Sequence, residues 1–204
     1  MRKFISLVIA VLIMQLASLF FVSCTKNNDT TIILPTIRNV KPLEDILPQE
    51  LIDVLDTIYD GFDPPIIEGE FLAEPYKLVY STEFYDSIGY VWGPKYLRFE
   101  NQTIDNTIIY NAKQGTSTVN NATVYLRGRG DNFTAYMIEK RIDEHTGNNK
   151  TTTSVMTGTM NNYGIKNYTF SYMLTETDGD EHTVSPNTIR KFVDGNNLAE
   201  KYDW

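Results

Sequence analysis

Asn167-Tyr168-Thr169-Phe170-Ser171-Tyr172-Met173-Leu174-Thr175 alternates large apolar side chains with small polar ones over a full strand length. A period of two marks a strand with one buried face, because successive side chains of an extended chain point to opposite sides. Asp178-Gly179 follows as a hairpin turn signal. Upstream, the same chemistry recurs at 76–81, 96–101 and 107–112, and then from Val124 and Leu126 toward Gly128. Gly130-Asp131-Asn132 turns the chain into 133–138, and further candidates lie at 152–160 and 188–193. The sum is about eight short strands, rich in Thr, Tyr and Phe and separated by Gly/Asn/Asp turns. No helix-length pattern interrupts them, which excludes parallel crossover units. The expected fold is mainly β, a single antiparallel meander. A closed barrel comes first and a two-sheet sandwich second.

One helix is expected ahead of the strands, at residues 48–59. Pro48 suits a first helical position, and Leu51, Ile52, Leu55, Ile58 and Tyr59 form one apolar stripe. Glu50, Asp53 and Asp56 line the opposite side as a solvated face, and Gly61 is placed to stop the helix. Asp63-Pro64-Pro65 then forces an extended exit, which folds the helix back against the sheet beside Gly69 and Phe71.

The chain begins with Arg2 and Lys3, runs apolar from Phe4 to Val22, and reaches its single cysteine at Cys24. A membrane helix and a cleaved export signal both suit such a run. Phe21-Val22-Ser23-Cys24 resembles the lipobox of bacterial lipoprotein signal peptides, with Phe21 where that family usually has Leu. The resemblance implies a cleaved signal peptide at 1–23, lipidation of Cys24, a flexible tether at 24–41, and a helix-plus-barrel domain at 42–204. Thr25 follows the cysteine, unlike the Asp of inner-membrane retention signals. The implied location is therefore the outer membrane, lipid-anchored, on its periplasmic or cell-surface face. An acylated Cys24 leaves no thiol for a disulfide, so the domain has to be held by burial alone. Removing residues 1–23 takes the 18 basic side chains to 16 against 26 acidic ones, a net charge of −10. That argues against nucleic acid and anionic lipid headgroups as partners, because both demand a basic face.

Ile67-Glu68-Gly69-Glu70-Phe71 is similar to the Gly-x-aromatic opening of a lipocalin barrel, with Phe71 in place of the usual Trp. In that family a basic side chain on the last strand packs over the ring, and Arg190 in TIRKFV is placed to do so. The family likeness also implies that the N-terminal helix closes the narrow end of the barrel, leaving the opposite mouth as the ligand entrance. The layout as a whole resembles the uncharacterised lipoproteins of Bacteroides and its relatives. Asp29-Thr30-Thr31, Asp56-Thr57-Ile58 and Asp86-Ser87-Ile88 are similar to the O-glycosylation acceptors of that group.

Catalytic and metal chemistry find no motif. His145 and His182 lie in polar, turn-like stretches outside metal-ligand spacing. Asp178, Asp180 and Glu181 lack the calcium-loop pattern. No nucleophile elbow, phosphate loop or dinucleotide fingerprint appears. The expectation is a protein without catalytic residues, metal or cofactor. Arg129-Gly130-Asp131 has the composition of a tight turn and reads as one in preference to an adhesion loop. The positive hint is aromatic. Tyr168, Phe170 and Tyr172 share one strand face, and Tyr90 and Trp92 precede a Gly-Pro turn. Phe170 reads as core, and Trp92, Tyr168 and Tyr172 as the candidate ligand-binding residues. Two functions follow from different classes. One is a binding module for a small apolar molecule or a glycan. The other is an assembly subunit of an outer-membrane protein complex with no small ligand.

Overall fold

Inward and outward positions alternate along the strands of this chain, and that alternation curls the sheet round a single interior. The structure is a computed structural model that describes residues 43, 46–142, 149–177 and 185–204. All of these belong to one compact unit, Lys41–Trp204. A one-turn helix, α1 (Gln49–Ile52), and a two-residue strand, β1 (Phe62–Asp63), come first. The sheet then runs β2 (Gly69–Ala73), β3 (Tyr76–Ser81), β4 (Val91–Trp92), β5 (Lys95–Glu100) and β6 (Thr107–Gln114). It continues through β7 (Ser117–Arg129), β8 (Asn132–Ile142), β9 (Asn149–Asn161), β10 (Gly164–Thr177), β11 (Ile189–Asp194) and β12 (Leu198–Lys201).

Three staves of the barrel are made of two strands each. β10 pairs with β12 at residues 164–166 and with β11 at residues 169–173. β12 and β11 pair in turn with β2 and β3, and those two pair with β5 and β4. Taken with β6 to β10, the result is a closed eight-stave antiparallel meander, the architecture of a lipocalin-like barrel. The eight sequence segments fall on these staves, and the sandwich alternative is not what forms. The short β1 pairs in parallel with the end of β7, outside the meander.

One end of the barrel is filled. Phe99 lies 6.2 Å from the Phe71 ring and stacks on Tyr110 at 5.1 Å, among fully buried Leu97, Ile108, Phe133 and Met156. The backbones approach so closely here that a Cβ on Gly164 would sit 2.1 Å from the Ala199 carbonyl oxygen. The stretch between α1 and β2 is pinned along this end. Gln102 holds it through Ile67 N–H at 2.9 Å and the Pro65 carbonyl at 3.0 Å, and Ile67 is buried in the interior cluster.

The N-terminal helix differs from expectation in length and in place. It stops at Ile52, where the Leu55 N–H turns to the Ile52 carbonyl at 3.0 Å, and the backbone beyond is bonded to the barrel. The Val54 carbonyl, which a continuing helix would offer to the Ile58 N–H, accepts from Lys191 Nζ at 2.8 Å. The Tyr59 N–H donates to Thr134 Oγ1 at 2.8 Å. Asp56 adds an ion pair to Lys191 at 2.7 Å. Of the apolar stripe Leu51 is buried and the rest is half-buried, on the outer face of the barrel. Leu43, Leu47 and Leu51 pack on Tyr136, Val155, Met173 and Ile189, the outward side chains of β8 to β11. The segment that reaches the closed end is the one after the helix.

Leu51 is fully buried whereas Leu55 is half-buried. Leu51→Ala is therefore expected to cost about 2–5 kcal/mol in urea unfolding, and Leu55→Ala clearly less. A Leu51→Ala change no larger than that of a surface substitution would show that the outer-face packing adds nothing to stability.

Candidate functional site

At the other end the staves splay round a cavity of about 580 Å³. Lys95, Leu97 and Phe99 occupy the inward positions of β5, so strand parity sends a lysine into the lumen. Lys95 is 8% exposed, and its ammonium group lies 3.8 Å from the centre of the Phe170 ring and 5.4 Å from that of Tyr76. Attraction to the ring faces offsets part of the cost of holding a cation among apolar groups. Tyr76 is inward on β3 by the same parity. Its ring stacks on Phe192 at 4.6 Å, and its buried hydroxyl has no hydrogen-bond partner among the described residues. Burial, followed by the neighbouring Tyr110 and Tyr172, pushes the Tyr76 pKa well above its ordinary value, so the group stays a neutral phenol.

The wall beside this floor is organised by Arg190. Its guanidinium donates to Asp86 through Nε at 2.6 Å and Nη2 at 3.0 Å, and to the Tyr172 hydroxyl at 2.9 Å. The same group lies 5.8 Å from the Trp92 ring, and Trp92 meets Phe192 edge-to-face at 5.3 Å. Burial alone would push the Asp86 carboxyl up, but hydrogen bonds from Arg190 and Ser81 and the Arg190 charge outweigh it and hold the pKa below its ordinary value. Burial pushes Tyr172 up against the opposing pull of Arg190. Asp86 belongs to the loop between β3 and β4, so this pair ties that loop to the barrel wall. The loop displays Phe84, Tyr85, Ile88 and Tyr90 to solvent.

Two of the three sequence candidates, Trp92 and Tyr172, line the cavity together. Tyr168 does not. It lies deeper in the interior cluster, where Tyr110 acts on its hydroxyl, and burial pushes its pKa well up. Phe170 belongs to the core cluster and also lines the cavity. Arg190 does not cover Phe71 as the lipocalin likeness implies. It stands at the mouth, whereas Phe71 lies at the filled end under Gly69 and beside Phe99. Lys95, Tyr76 and the Arg190–Asp86 pair were not singled out from the sequence. The signal for Lys95 was its parity with Leu97 and Phe99.

Arg129-Gly130-Asp131 is a tight hairpin tip, with Arg129 paired to Asn132 and Gly130 at φ +62°. Cys24, His145, His182, the Asp178–Glu181 stretch and Asp29 lie outside the described residues. Among the described residues no cluster of three His, Cys, Asp or Glu could hold a metal, and no helix is long and apolar enough to cross a membrane. No family model, curated protein or solved structure matches the chain.

The depressed Asp86 pKa fixes the sign of an acid effect. The stability it contributes is fully present above the unfolded carboxylate value of 3.8 and is lost as pH falls below it through the folded pKa. Asp86→Asn is expected to cost roughly 1.5–3 kcal/mol near neutral pH, as loss of charge-assisted hydrogen bonds does. The variant should also lose less stability than wild type on acidification below 3.8. Parallel acid limbs in the two unfolding profiles would contradict this role for Asp86.

Proposed function

We propose that this chain is a lipid-anchored lipoprotein of the cell envelope whose barrel binds a small molecule in its open mouth, without catalysis. The cavity carries the binding reading. Its volume of about 580 Å³ falls within the roughly 300–1,000 Å³ usual for small-ligand sites, and aromatic walls converge there with a few polar groups. Among the charged contacts at this end are a lysine over ring faces and a guanidinium tied to a carboxylate. The anchor rests on Phe21-Val22-Ser23-Cys24 and the polar stretch behind it. Two acyl groups would hold such a chain stably at a membrane.

Ser154 lines the cavity and is almost fully buried, so a larger side chain there would enter the hollow. In the soluble chain 24–204 carrying Cys24→Ser, the neutral probe N-phenyl-1-naphthylamine should bind at one site per chain. Ser154→Phe should abolish that binding without lowering the melting temperature. Undiminished binding would move the site elsewhere, and destabilisation by about 1–3 kcal/mol would mean the lumen is already packed. Cells fed labelled palmitate should label the wild type and not Cys24→Ala. Equal labelling of both, or of neither, would remove the anchor.

A second reading, an assembly subunit of an outer-membrane complex, is favoured by the loop between β3 and β4. Phe84 and Tyr85 are 89% and 88% exposed there on a loop held by the Arg190–Asp86 pair. Absence of probe binding by the wild type would move this reading ahead.

A further inference from the structure

We propose that the loop between β3 and β4 seats the domain on a lipid bilayer, with Phe84 and Tyr85 in the headgroup region and the barrel mouth turned toward the membrane. The inference rests on the lipid-anchored reading above and adds which end of the barrel the membrane meets. Phe84 and Tyr85 meet edge-to-face at 5.4 Å, and Ile88, Tyr90 and Val91 are exposed in the residues that follow. The loop cannot fold these groups away, because its backbone is bonded to the barrel. The Thr82 N–H donates to the Ile189 carbonyl at 3.0 Å, and the Ile189 N–H donates to Thr82 Oγ1 at 2.9 Å. Farther along, the Gly89 N–H donates to the Leu78 carbonyl at 2.8 Å, and the Leu78 N–H to the Tyr90 carbonyl at 3.0 Å. Arg190 grips Asp86 from the wall. Rings held this way are pre-organised, so docking them costs little conformational entropy.

A protein partner on the same loop is the competing occupant, and three observations favour lipid. Phe84 and Tyr85 are almost fully exposed, so they project instead of lining a groove. Projecting rings need a fitted hollow in a protein, whereas fluid lipid closes round them, and a tyrosine suits the interface because its apolar ring carries a polar tip. Residues 82–90 hold no Lys, Arg or His, and the Asp86 charge is matched by Arg190. The contact is therefore apolar and needs no anionic lipid, in keeping with an acidic chain. The described chain also begins at this end. Leu43, Leu47 and Leu51 pack with Ile189, the residue bonded to Thr82 at the root of the loop. At roughly 3.5 Å per residue, the stretch from Cys24 to Leu43 keeps the domain within roughly 65 Å of an anchor at Cys24. Confinement of that kind makes the second contact intramolecular, so an affinity too weak for an unanchored chain suffices. Phe62, Ile66 and Ile104 are exposed at the filled end, but the Arg127 guanidinium lies 4.7 Å from the Phe62 ring there. With the loop in the headgroups, an apolar molecule dissolved in the bilayer reaches the cavity beside Trp92 without crossing bulk water.

Cys24 is the only thiol in the chain, so the chain 24–204 can be coupled through it to a maleimide lipid in phosphatidylcholine vesicles, with dibrominated phosphatidylcholine as quencher. Chemical coupling stands in for acylation, so the outcome does not depend on whether cells acylate Cys24. Phe84→Trp and Ile104→Trp place one reporter at each end of the barrel, on exposed side chains whose replacement leaves the core intact. Brominated lipid should quench Phe84→Trp severalfold more than the wild type, whose Trp92 and Trp204 set the background. Ile104→Trp should stay at the wild-type level, and both results should hold in high salt. Equal quenching of the two reporters, or stronger quenching of Ile104→Trp, overturns docking by the mouth. Quenching of Phe84→Trp that vanishes in high salt overturns the apolar contact. Quenching of neither reporter overturns lipid as the occupant and leaves the loop to a protein partner. In every case the anchor itself stands or falls on the palmitate labelling.

Discussion

An antiparallel meander has two open edges until its first stave reaches its last, and here one buried carboxylate ties the bends where they meet. Asp194, 1% exposed, accepts from the Glu74 N–H at 2.9 Å, the Asn196 N–H at 3.0 Å and the Leu198 N–H at 3.2 Å. The first contact lies in the bend between β2 and β3, and the other two lie in the bend between β11 and β12. A single side chain thus holds two facing bends in step, and β10 can pair with β12 below and β11 above. Without that match the sheet would present unpaired N–H and C=O groups along two edges. With it, the inward face becomes an enclosed interior and the outward face a surface that the N-terminal segment can cover.

Enclosure does not by itself make a binding site, since an eight-stave barrel is just wide enough for side chains to fill it. The two ends differ in what the inward positions carry. Toward the filled end they are Phe71, Leu97, Phe99, Ile108 and Phe133, which interlock. Toward the mouth they include Lys95, Ser154 and Thr152, which are charged or small and cannot close the space. Packing the same lumen unevenly leaves a hollow where the rings of Trp92, Tyr172 and Phe192 are held apart from the opposite wall. The Arg190–Asp86 pair ties that wall to the loop between β3 and β4, and Lys95 places an ammonium group over the Phe170 ring.

Much of the fold was legible because a period of two survives in single strands. β3 is predicted at 76–81 and forms at Tyr76–Ser81, and the 167–175 segment lies within β10. The helix was legible as an apolar stripe but not as an element. Hydrophobic periodicity reports that Leu51 is buried, not that Lys191 on the outer face of β11 takes the Val54 carbonyl. The same limit governed the site. Trp92 and Tyr172 were found as aromatics near turns or on one face, but Tyr168 shares that face at a depth that parity does not encode. Arg190 was placed over the wrong ring for a related reason. Its partner, Asp86, is 104 residues away, and the approach exists only once β3 and β11 are paired.

The lumen is hollow at the mouth and filled below, and the methionine methyl groups sample both regions. Met137 lines the cavity, Met156 lies in the interior cluster, and Met173 lies under the N-terminal segment on the outer face. With carbon-13 on the methionine methyls, titration with N-phenyl-1-naphthylamine should shift the Met137 resonance strongly through the ring current of the probe. Met173 should not move. A shift at Met173 with Met137 unmoved, or no shift at either during saturable binding, would mean that the mouth of the barrel is not where the probe is held.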